Sequence, residues 1–427
     1  MNKPVFVVSC PFDTYSGYGA RSRDLVKALI ELDKYAVKLL PQRWGNTSWG
    51  FCKDHPEWEF LYDYQVKNLQ QKPDIWMQIT IPNEFQPQGK YNIGCTAGIE
   101  ATACKPEWIS GLNRMDMNWV SSKFAEGMLK NVRYEVKDKN TQQQSILSVT
   151  KPIKVVLEGA NLDIYKPLPP KEVTTFDFKD IKESFCYLNV GHWMQGDFGQ
   201  DRKNLSLLVK AFYETFKGPK KPKPALILKS SKGVASYISR YEILEKIKDI
   251  RSTVNSKHLP NIYLINGEFT DSEMNELYNH PKVKAMISLT KGEGYGRPLL
   301  EFSLTGKPVI ASGWSGHLDF LKSDMSTLLG GQLQNVHPSA TNNWLIKEAQ
   351  WFAVDTSQVG RHLKDCYKKY KAYNLNSKKQ KNFSKSNFSY DNMKSIMDEI
   401  LTESIPDFPQ QLNIKLPEIE LPKLQKI

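Results

Sequence analysis

Two glutamates and three glycines lie close together in the second half of the chain, and their types and spacing suit a phosphorylated ligand. Gly292, Gly294 and Gly296 surround Glu293, and Glu301 follows after seven intervening residues. Glycines let a ligand approach the backbone, whose free N–H groups at a helix start favour a phosphate. Carboxylates beside a phosphate suit hydroxyl groups. This set therefore predicts a ligand with a diphosphate between hydroxylated ends, such as a nucleotide sugar.

These residues require a strand, a turn and a helix to position them. The apolar run Ala285–Leu289 has the length of a buried strand, and Pro298 begins a segment of helical period. The helix is expected to end near Thr305–Gly306, where glycine suits a left-handed cap, and a second strand follows at Pro308–Ala311. The pattern predicts two strands joined by a crossover helix.

The stretch from Glu293 to Ser312 contains EGYGRPLLE followed by LTGKPVIAS. It resembles the Glu-x7-Glu motif of retaining glycosyltransferases of family 4, which have the α/β GT-B fold of two Rossmann-like domains facing across a cleft. The resemblance implies that Glu293 contacts sugar hydroxyls, Glu301 the ribose hydroxyls, and the amides of Gly294, Tyr295 and Gly296 the diphosphate. The alternative is an ordinary Rossmann-type helix cap with two surface glutamates.

A basic pair further upstream is the expected partner of the diphosphate. The strand Phe185–Val190 is followed by a glycine and later by Arg202 and Lys203, which by the resemblance neutralise the departing diphosphate. His192 stands where the family has an arginine, so part of this stabilisation is expected to be lost above neutral pH. The alternative for the basic pair is a solvated helix start.

The resemblance also assigns residues to the nucleotide base. The run 262–266 predicts a strand, and Glu268 and Phe269 follow it. Family 4 enzymes bind the base near this strand end, which makes both residues candidate base contacts.

The first half begins with a valine-rich strand, Pro4–Cys10, a glycine turn, and a helix from Ala20 to Leu32. By the resemblance, Gly17, Tyr18 and Gly19 in the turn line the active site on the acceptor side. A tight turn that lets the helix pack on the sheet is the alternative.

Further acceptor-side candidates follow predicted strand ends. They are Gly98, Glu100 and Ser121. Glu100 is a candidate catalytic acid or base, or else a helix-capping or solvated residue.

Three regions are predicted. Residues 1–168 form the acceptor-side Rossmann-like domain, 172–385 the nucleotide-sugar-binding Rossmann-like domain, and 386–427 a helix that returns to the first domain plus an extended tail. A proline-rich link at 168–171 separates the first two. Within the second domain, Leu345–Tyr373 is predicted to be helical.

Composition narrows the class of protein. The net charge of +12 favours anionic partners, whether nucleotide sugar, nucleic acid or an anionic membrane. The six cysteines form no C-x-x-C pair and suit free thiols, and no apolar run approaches the length of a membrane span. These features predict a cytoplasmic protein, in a bacterium or in the host of a phage.

The predicted reaction needs no metal and no cofactor beyond the nucleotide sugar, because the sequence has no D-x-D and no metal-ligand spacing. The resemblance implies retention at the anomeric carbon. The expected acceptor is a hydroxyl of a glycan or glycoconjugate. The alternatives are DNA with hydroxymethylated pyrimidines, as for phage enzymes of this fold, and a nucleotide-sugar-binding protein without turnover.

Overall fold

Two parallel β-sheets with flanking helices make up the computed structural model, which describes residues 3–69, 71–137 and 143–408. The end of the predicted tail, 409–427, lies outside the described residues. The strands are β1 (Val5–Cys10), β2 (Ala36–Pro41), β3 (Ile75–Ile79), β4 (Tyr91–Thr96), β5 (Met117–Val120), β6 (Tyr134–Lys137), β7 (Gln144–Leu147), β8 (Ile153–Val155), β9 (Cys186–Val190), β10 (Ala225–Lys229), β11 (Ile262–Ile265), β12 (Val283–Ser288), β13 (Val309–Ser312), β14 (Thr327–Leu329), β15 (Gly331–Asn335) and β16 (Gln350–Val354). The α-helices are α1 (Gly17–Leu32), α2 (Phe51–Asp54), α3 (Pro106–Arg114), α4 (Lys123–Asn131), α5 (Leu205–Phe216), α6 (Tyr237–Ser252), α7 (Asp271–Asn279), α8 (Arg297–Ser303), α9 (Thr356–Lys368), α10 (Tyr370–Asn387) and α11 (Tyr390–Ser404).

The first sheet has the strand order β2-β1-β3-β4-β5-β8, and all of its strands are parallel. The valine-rich β1 lies inside this sheet, where both faces are covered and a continuous apolar run is favoured. Because the strands are parallel, the loops after β1, β4, β5 and β8 all meet at one edge. That edge is where ligands bind in open α/β sheets.

The second sheet has the order β11-β10-β9-β12-β13-β14, again entirely parallel. Numbered within this half, the order is 3-2-1-4-5-6, the doubly wound arrangement that binds nucleotides where the strand order reverses. The reversal lies between β9 and β12. The loops after these two strands carry the basic pair and the glycine-rich turn.

The predicted strand, turn, helix and strand around Glu293 are confirmed. Gly296 is the N-cap of α8 with a φ of +96°, a left-handed conformation that a residue with a Cβ adopts only at a cost. Pro298 follows in the first turn, where its missing N–H is not needed. The glycine turn therefore changes direction sharply at the edge of the sheet.

The predicted helical character of Leu345–Tyr373 is wrong in its first part. Gln350–Val354 is strand β16, which pairs with β15 in antiparallel fashion. This short segment contains two aromatic residues and buries Trp351 completely. Aromatic residues favour a pleated surface, and pairing with β15 outweighed the apparent helical period.

Helix α11 lies against α1 of the first half. Lys394 Nζ is 2.8 Å from Glu31 Oε2, and Lys34 Nζ is 2.5 Å from Asp398 Oδ1. The boundaries at 168, 172 and 386 remain predictions. All six cysteines are buried free thiols, and no helix among residues 3–69, 71–137 and 143–408 is long and apolar enough to cross a membrane.

Candidate active site

A cavity of about 190 Å³ lies between the carboxyl edges of the two sheets. We call it the interdomain cavity. Residues predicted for the donor and for the acceptor line it together: Gly17, Tyr18, Glu100, Ser121, Glu293, Gly294, Tyr295 and Gly296. Further lining side chains include Arg21, Glu158 and Arg297. The two sets of residues, far apart in sequence, thus face one space.

Glu293 is buried at the wall of this cavity and is held by two cations. Lys203 Nζ donates to both carboxylate oxygens, at 2.6 and 2.8 Å, and Arg202 Nη1 lies 3.5 Å from Oε2. Burial alone would raise the pKa of Glu293, but the lysine and the arginine outweigh it and lower the pKa to about 2. Glu293 is therefore ionised and fixed in position at neutral pH.

The basic pair precedes α5 and does not begin it. Asn204 adopts a left-handed φ of 57°, and Asp201 accepts hydrogen bonds from the Leu205 N–H and the Ser206 hydroxyl at the helix start. The carbonyl of Arg202 accepts the Lys291 N–H at 2.7 Å, which ties this turn to the glycine loop. The carboxylate of Asp201 satisfies the start of α5, and the side chains of Arg202 and Lys203 reach Glu293, although neither is among the residues that line the cavity.

Arg202 also connects the two halves. Its Nη1 donates to the Gly292 carbonyl at 2.8 Å and lies 3.2 Å from Glu100 Oε1 in the first half. A Cβ at Gly292 would lie 2.3 Å from the carbonyl oxygen of Glu100. The loops after β4 and β12 therefore touch backbone to backbone, an approach that only glycine permits.

Ser121 does not present a free hydroxyl to the cavity. Its Oγ donates to the Gly294 carbonyl at 3.3 Å, and Ser122 Oγ donates to the same oxygen at 2.6 Å. Both serines belong to the first half, so they hold the glycine loop of the second half against it. These two hydrogen bonds therefore position the glycine loop.

On the acceptor side, Tyr18 and Gly19 differ in what they contact. The Tyr18 hydroxyl bonds Thr96 Oγ1 at 3.0 Å and accepts the Ala97 N–H at 3.0 Å, so the ring forms a fixed wall of the cavity. Gly19 faces away from the cavity, where a Cβ would lie 2.3 Å from the Thr14 carbonyl. Because Gly19 has no side chain, the backbone of the turn can pack closely against the start of α1.

Glu158 is a cavity residue that the sequence analysis missed. It follows β8 by three residues, and its nearest cation is Arg297, whose Nη1 lies 3.9 Å from Oε2. Burial raises its pKa, although Arg21 and Arg297 oppose the shift. Beside it, the buried Tyr295 hydroxyl has no hydrogen-bond partner among the described residues. Both residues line the cavity without a short hydrogen bond or ion pair, and a hydroxylated ligand that reached these groups would satisfy them.

Glu301 is not among the residues that line the interdomain cavity. Its carboxylate accepts the Tyr278 hydroxyl at 3.0 Å and the Arg297 Nε–H at 3.1 Å. Burial raises the pKa of Glu301 to about 7, against the opposing effect of Arg297. Arg297 also donates to Asp24 of α1 at 2.6 Å, which makes a second connection between the halves. The predicted ribose contact of Glu301 stays a prediction.

The predicted base contacts, Glu268 and Phe269, lie at the same sheet edge as His192 but outside the cavity. His192 follows β9, Lys229 ends β10, and Glu268 and Phe269 follow β11. The Lys229 ammonium lies 5.5 Å from the Phe269 ring centre. These adjacent strand ends form a surface beside the basic pair, and the carboxylate of Glu268 helps to raise the pKa of Tyr15 in the first half.

The prediction that His192 carries a positive charge up to neutral pH is wrong. Its Nδ1 lies 2.9 Å from Ser231 Oγ, and burial, with the nearby Lys203 and Lys229, lowers its pKa below the ordinary value of 6.5. The positive charge of His192 is therefore lost below neutral pH, not above it. At neutral pH, His192 can offer a hydrogen bond but not a charge.

No group of three or more His, Cys, Asp or Glu side chains suited to a metal ion is found among the described residues.

Comparison with known proteins identifies the fold. No protein-family model matches the chain, and no curated protein matches its sequence. HepE from Anabaena, solved with UDP-glucose, matches with a TM-score of 0.62 at 11% identity, over 94% of this chain and 100% of that one. Sucrose-phosphate synthase from Thermosynechococcus elongatus matches with a TM-score of 0.60 at 13% identity, over 94% and 99%. A glycosyltransferase from Rickettsia africae matches with a TM-score of 0.64 at 13% identity, over 96% and 100%.

At such low identity the likeness shows the fold alone. The chain has the GT-B fold, with two facing parallel sheets, and this prediction is confirmed. Membership of family 4 stays a prediction.

Proposed function

We propose that this chain is a glycosyltransferase that moves a sugar from a nucleoside diphosphate sugar to a hydroxyl group of an acceptor. The observation that carries the proposal is the contact of Glu293 with Lys203 and Arg202 at the point where the second sheet reverses its strand order. This point is where doubly wound sheets bind nucleotides. The UDP-glucose bound to HepE, a protein of the same fold, supports a nucleotide sugar as donor.

Each charged group has a role in the proposed reaction. Lys203 and Arg202 stabilise the diphosphate as the bond from the anomeric carbon to its oxygen breaks and the electron pair leaves with the phosphate. Glu293 accepts hydrogen bonds from sugar hydroxyls, because its partners keep it ionised. The amides of Gly294, Tyr295 and Gly296 face the diphosphate from the glycine turn.

The acceptor oxygen forms the new bond to the anomeric carbon. We propose that the reaction retains the configuration at the anomeric carbon. The acceptor oxygen attacks on the face that the diphosphate leaves, and the acceptor proton passes to an oxygen of the departing phosphate. This route requires no carboxylate nucleophile, in agreement with a Glu293 held between two cations. A measurement of the product anomer by NMR tests it directly.

Glu158 and Tyr295 are proposed to bind the acceptor hydroxyl. Glu100 is less suited, because Arg202 already holds its carboxylate at 3.2 Å. Glu158 belongs to the first half and has only a 3.9 Å ion pair. Hydroxyl groups of a sugar ring suit this place, because a carboxyl group and a phenol can exchange hydrogen bonds with them. The cavity thus supports a glycan or glycoconjugate acceptor.

The test is release of nucleoside diphosphate from a panel of nucleotide sugars, in the presence and absence of EDTA. Each donor is incubated alone, with a panel of glycans, and with hydroxymethylated DNA. We expect slow hydrolysis of one donor, stimulated by a glycan and lost in Glu293→Ala, with no effect of EDTA. Stimulation by the modified DNA alone would make this a DNA-modifying enzyme. Binding of a donor without any release would favour a non-catalytic nucleotide-sugar-binding protein.

A further inference from the structure

Two tryptophans lie in the loop that follows β2, and the hydrophobic core does not account for either of them. The loop spans residues 42–50 and begins at the carboxyl edge of the first sheet, the edge at which the interdomain cavity lies. Trp44 is half-buried, yet it packs against none of the hydrophobic clusters in the described part of the chain. Trp49 is 45% exposed. A large indole ring at the surface leaves apolar area in water that a bound ring would cover.

Trp44 is connected to the interdomain cavity through Tyr18. The two rings are stacked, with centroids 3.8 Å apart and planes inclined by 21°. Tyr18 lines the cavity, and its hydroxyl is fixed by hydrogen bonds to Thr96 and Ala97. Trp44 is not itself a lining residue, so it lies one ring beyond the cavity wall. The aromatic surface that begins at the cavity therefore continues outside it.

The turn before α1 holds the backbone of this loop in place. Trp49 pairs with Thr14 in an antiparallel β-bridge, and the Tyr15 N–H donates to the Ser48 carbonyl at 3.2 Å. The same turn leads directly into Gly17, which lines the cavity. Because the loop and the cavity lining share this backbone, the tryptophans are positioned relative to the cavity before a ligand binds. Such preorganisation reduces the entropy that binding costs.

The charge around the tryptophans does not suit a polyanion. Residues 42–63 contain two Lys or Arg residues against four Asp or Glu residues, although the whole chain has a net charge of +12. Nucleic acids bind through cations that contact their phosphates, in addition to aromatic rings that stack on their bases. This stretch has the aromatic rings without the excess of cations. The surface therefore suits an uncharged ring.

We infer that Trp44 and Trp49 form a platform on which a glycan acceptor stacks its sugar rings. We call this pair the tryptophan platform. The faces of a sugar ring present C–H groups, which are attracted to the electron-rich face of an indole ring. The sugar that carries the reacting hydroxyl occupies the interdomain cavity near Glu158 and Tyr295, and the sugars next to it lie on the platform.

This inference rests on the proposed function, because it assigns the acceptor class of that site. The two tryptophans are specificity-determining residues that touch the acceptor away from the reacting atoms. A monosaccharide reaches the cavity or the platform but not both. Longer glycans are therefore expected to bind more tightly than monosaccharides.

The experiment measures binding of the fluorescently labelled full chain to an array of uncharged oligosaccharides. The oligosaccharide that binds most strongly is then titrated into the protein by calorimetry. We expect Trp44→Ala with Trp49→Ala to weaken its binding by about tenfold or more, since two aromatic contacts are lost. Trp44→Phe with Trp49→Phe keeps a ring at both positions and should bind within about threefold of the unmodified chain.

Matched controls separate the platform from other exposed rings and from the proposed reaction. Tyr237→Ala with Tyr241→Ala removes two side chains on α6 that are 91% and 66% exposed, and it should bind the oligosaccharide as the unmodified chain does. Circular dichroism melting checks that each variant is folded. Nucleoside diphosphate release by the unmodified chain without acceptor tests the proposed function separately. Release without oligosaccharide binding would refute the platform alone, whereas oligosaccharide binding without release would support the platform and refute the transferase.

Three further results would overturn the inference. The first is equal oligosaccharide binding by the alanine variant and the unmodified chain. The second is loss of binding in the phenylalanine variant as well, which would mean that the tryptophans act through the shape of the loop and not through stacking. The third is binding to single-stranded DNA with hydroxymethylated pyrimidines that exceeds binding to every oligosaccharide and is lost in the alanine variant, which would identify a platform for bases.

Discussion

Replacing Lys203 with methionine tests whether the ion pair between Lys203 and Glu293 serves ligand binding or only stabilises the fold. The lysine is the nearest cation to a buried carboxylate whose pKa is lowered from 4.5 to about 2. Such a shift corresponds to about 3 kcal/mol in favour of the ionised form. Since the folded pKa is depressed, this stabilisation is present above pH 4.5 and is lost as the pH falls towards 2.

At neutral pH we therefore expect Lys203→Met to lower the free energy of unfolding by about 3 kcal/mol, because it leaves a buried charge with only Arg202 nearby. Adding Glu293→Gln should recover most of that loss. Nucleoside diphosphate release should fall by about a hundredfold or more in both variants, since neither can stabilise the departing diphosphate with Lys203. Urea unfolding and the release assay measure the two effects separately.

A matched control is Lys130→Met, which breaks an exposed pair with Glu126 on α4 and should cost less than about 0.5 kcal/mol. A loss below about 1 kcal/mol for Lys203→Met would refute the account of the buried pair. Recovery of both stability and release in the double variant would refute the catalytic role and leave Lys203 a structural residue.

Three further changes address other parts of the site. Glu158→Gln should raise KM for the acceptor by about tenfold, the loss of one charged hydrogen bond, while donor hydrolysis without acceptor is unchanged. Gly292→Ala puts a Cβ 2.3 Å from the Glu100 carbonyl oxygen and should force the two halves apart. We expect a larger radius of gyration in small-angle scattering and a loss of sugar transfer. Gly127 has open space around it, so Gly127→Ala should change neither quantity. Glu301, whose pKa is raised from 4.5 to about 7, should make the protein about 3 kcal/mol less stable as the pH rises between those values, and Glu301→Gln should flatten urea-unfolding stability across this range.

Local signals made the strand, turn and helix around Glu293 predictable from the sequence. An apolar run, alternating glycines and a proline follow one another within a few residues around Glu293, and each acts on its own backbone. The structure has the predicted strand, turn and helix there, and it brings Arg202 and Lys203 to that glutamate. The sequence therefore predicts the position of a residue when that position depends only on the strand that the residue follows.

Residues defined by contacts between the halves were not predictable in the same way. Glu158 lies three residues after β8, and its environment is made by Arg21 and Arg297, which are distant in sequence. For Glu301, the spacing of four residues from Arg297 was a local signal of an ion pair, but nothing local indicated that Tyr278 would donate to its carboxylate.

The prediction of the charge on His192 was wrong for a related reason. A sequence shows that the residue is a histidine, but its pKa depends on burial and on lysines from other strand ends. The strand β16 was missed because its five residues are too few to show a period, and its partner β15 lies fifteen or more residues away.

The most direct measurement of the central claim is calorimetric titration of the protein with a panel of nucleoside diphosphates. The account predicts that one of them binds, and that Lys203→Met weakens this binding by at least about tenfold, the loss of a charged hydrogen bond to the diphosphate. The control Lys130→Met should bind with unchanged affinity. Equal affinity in Lys203→Met and the unmodified chain, or no binding of any nucleoside diphosphate, would contradict it.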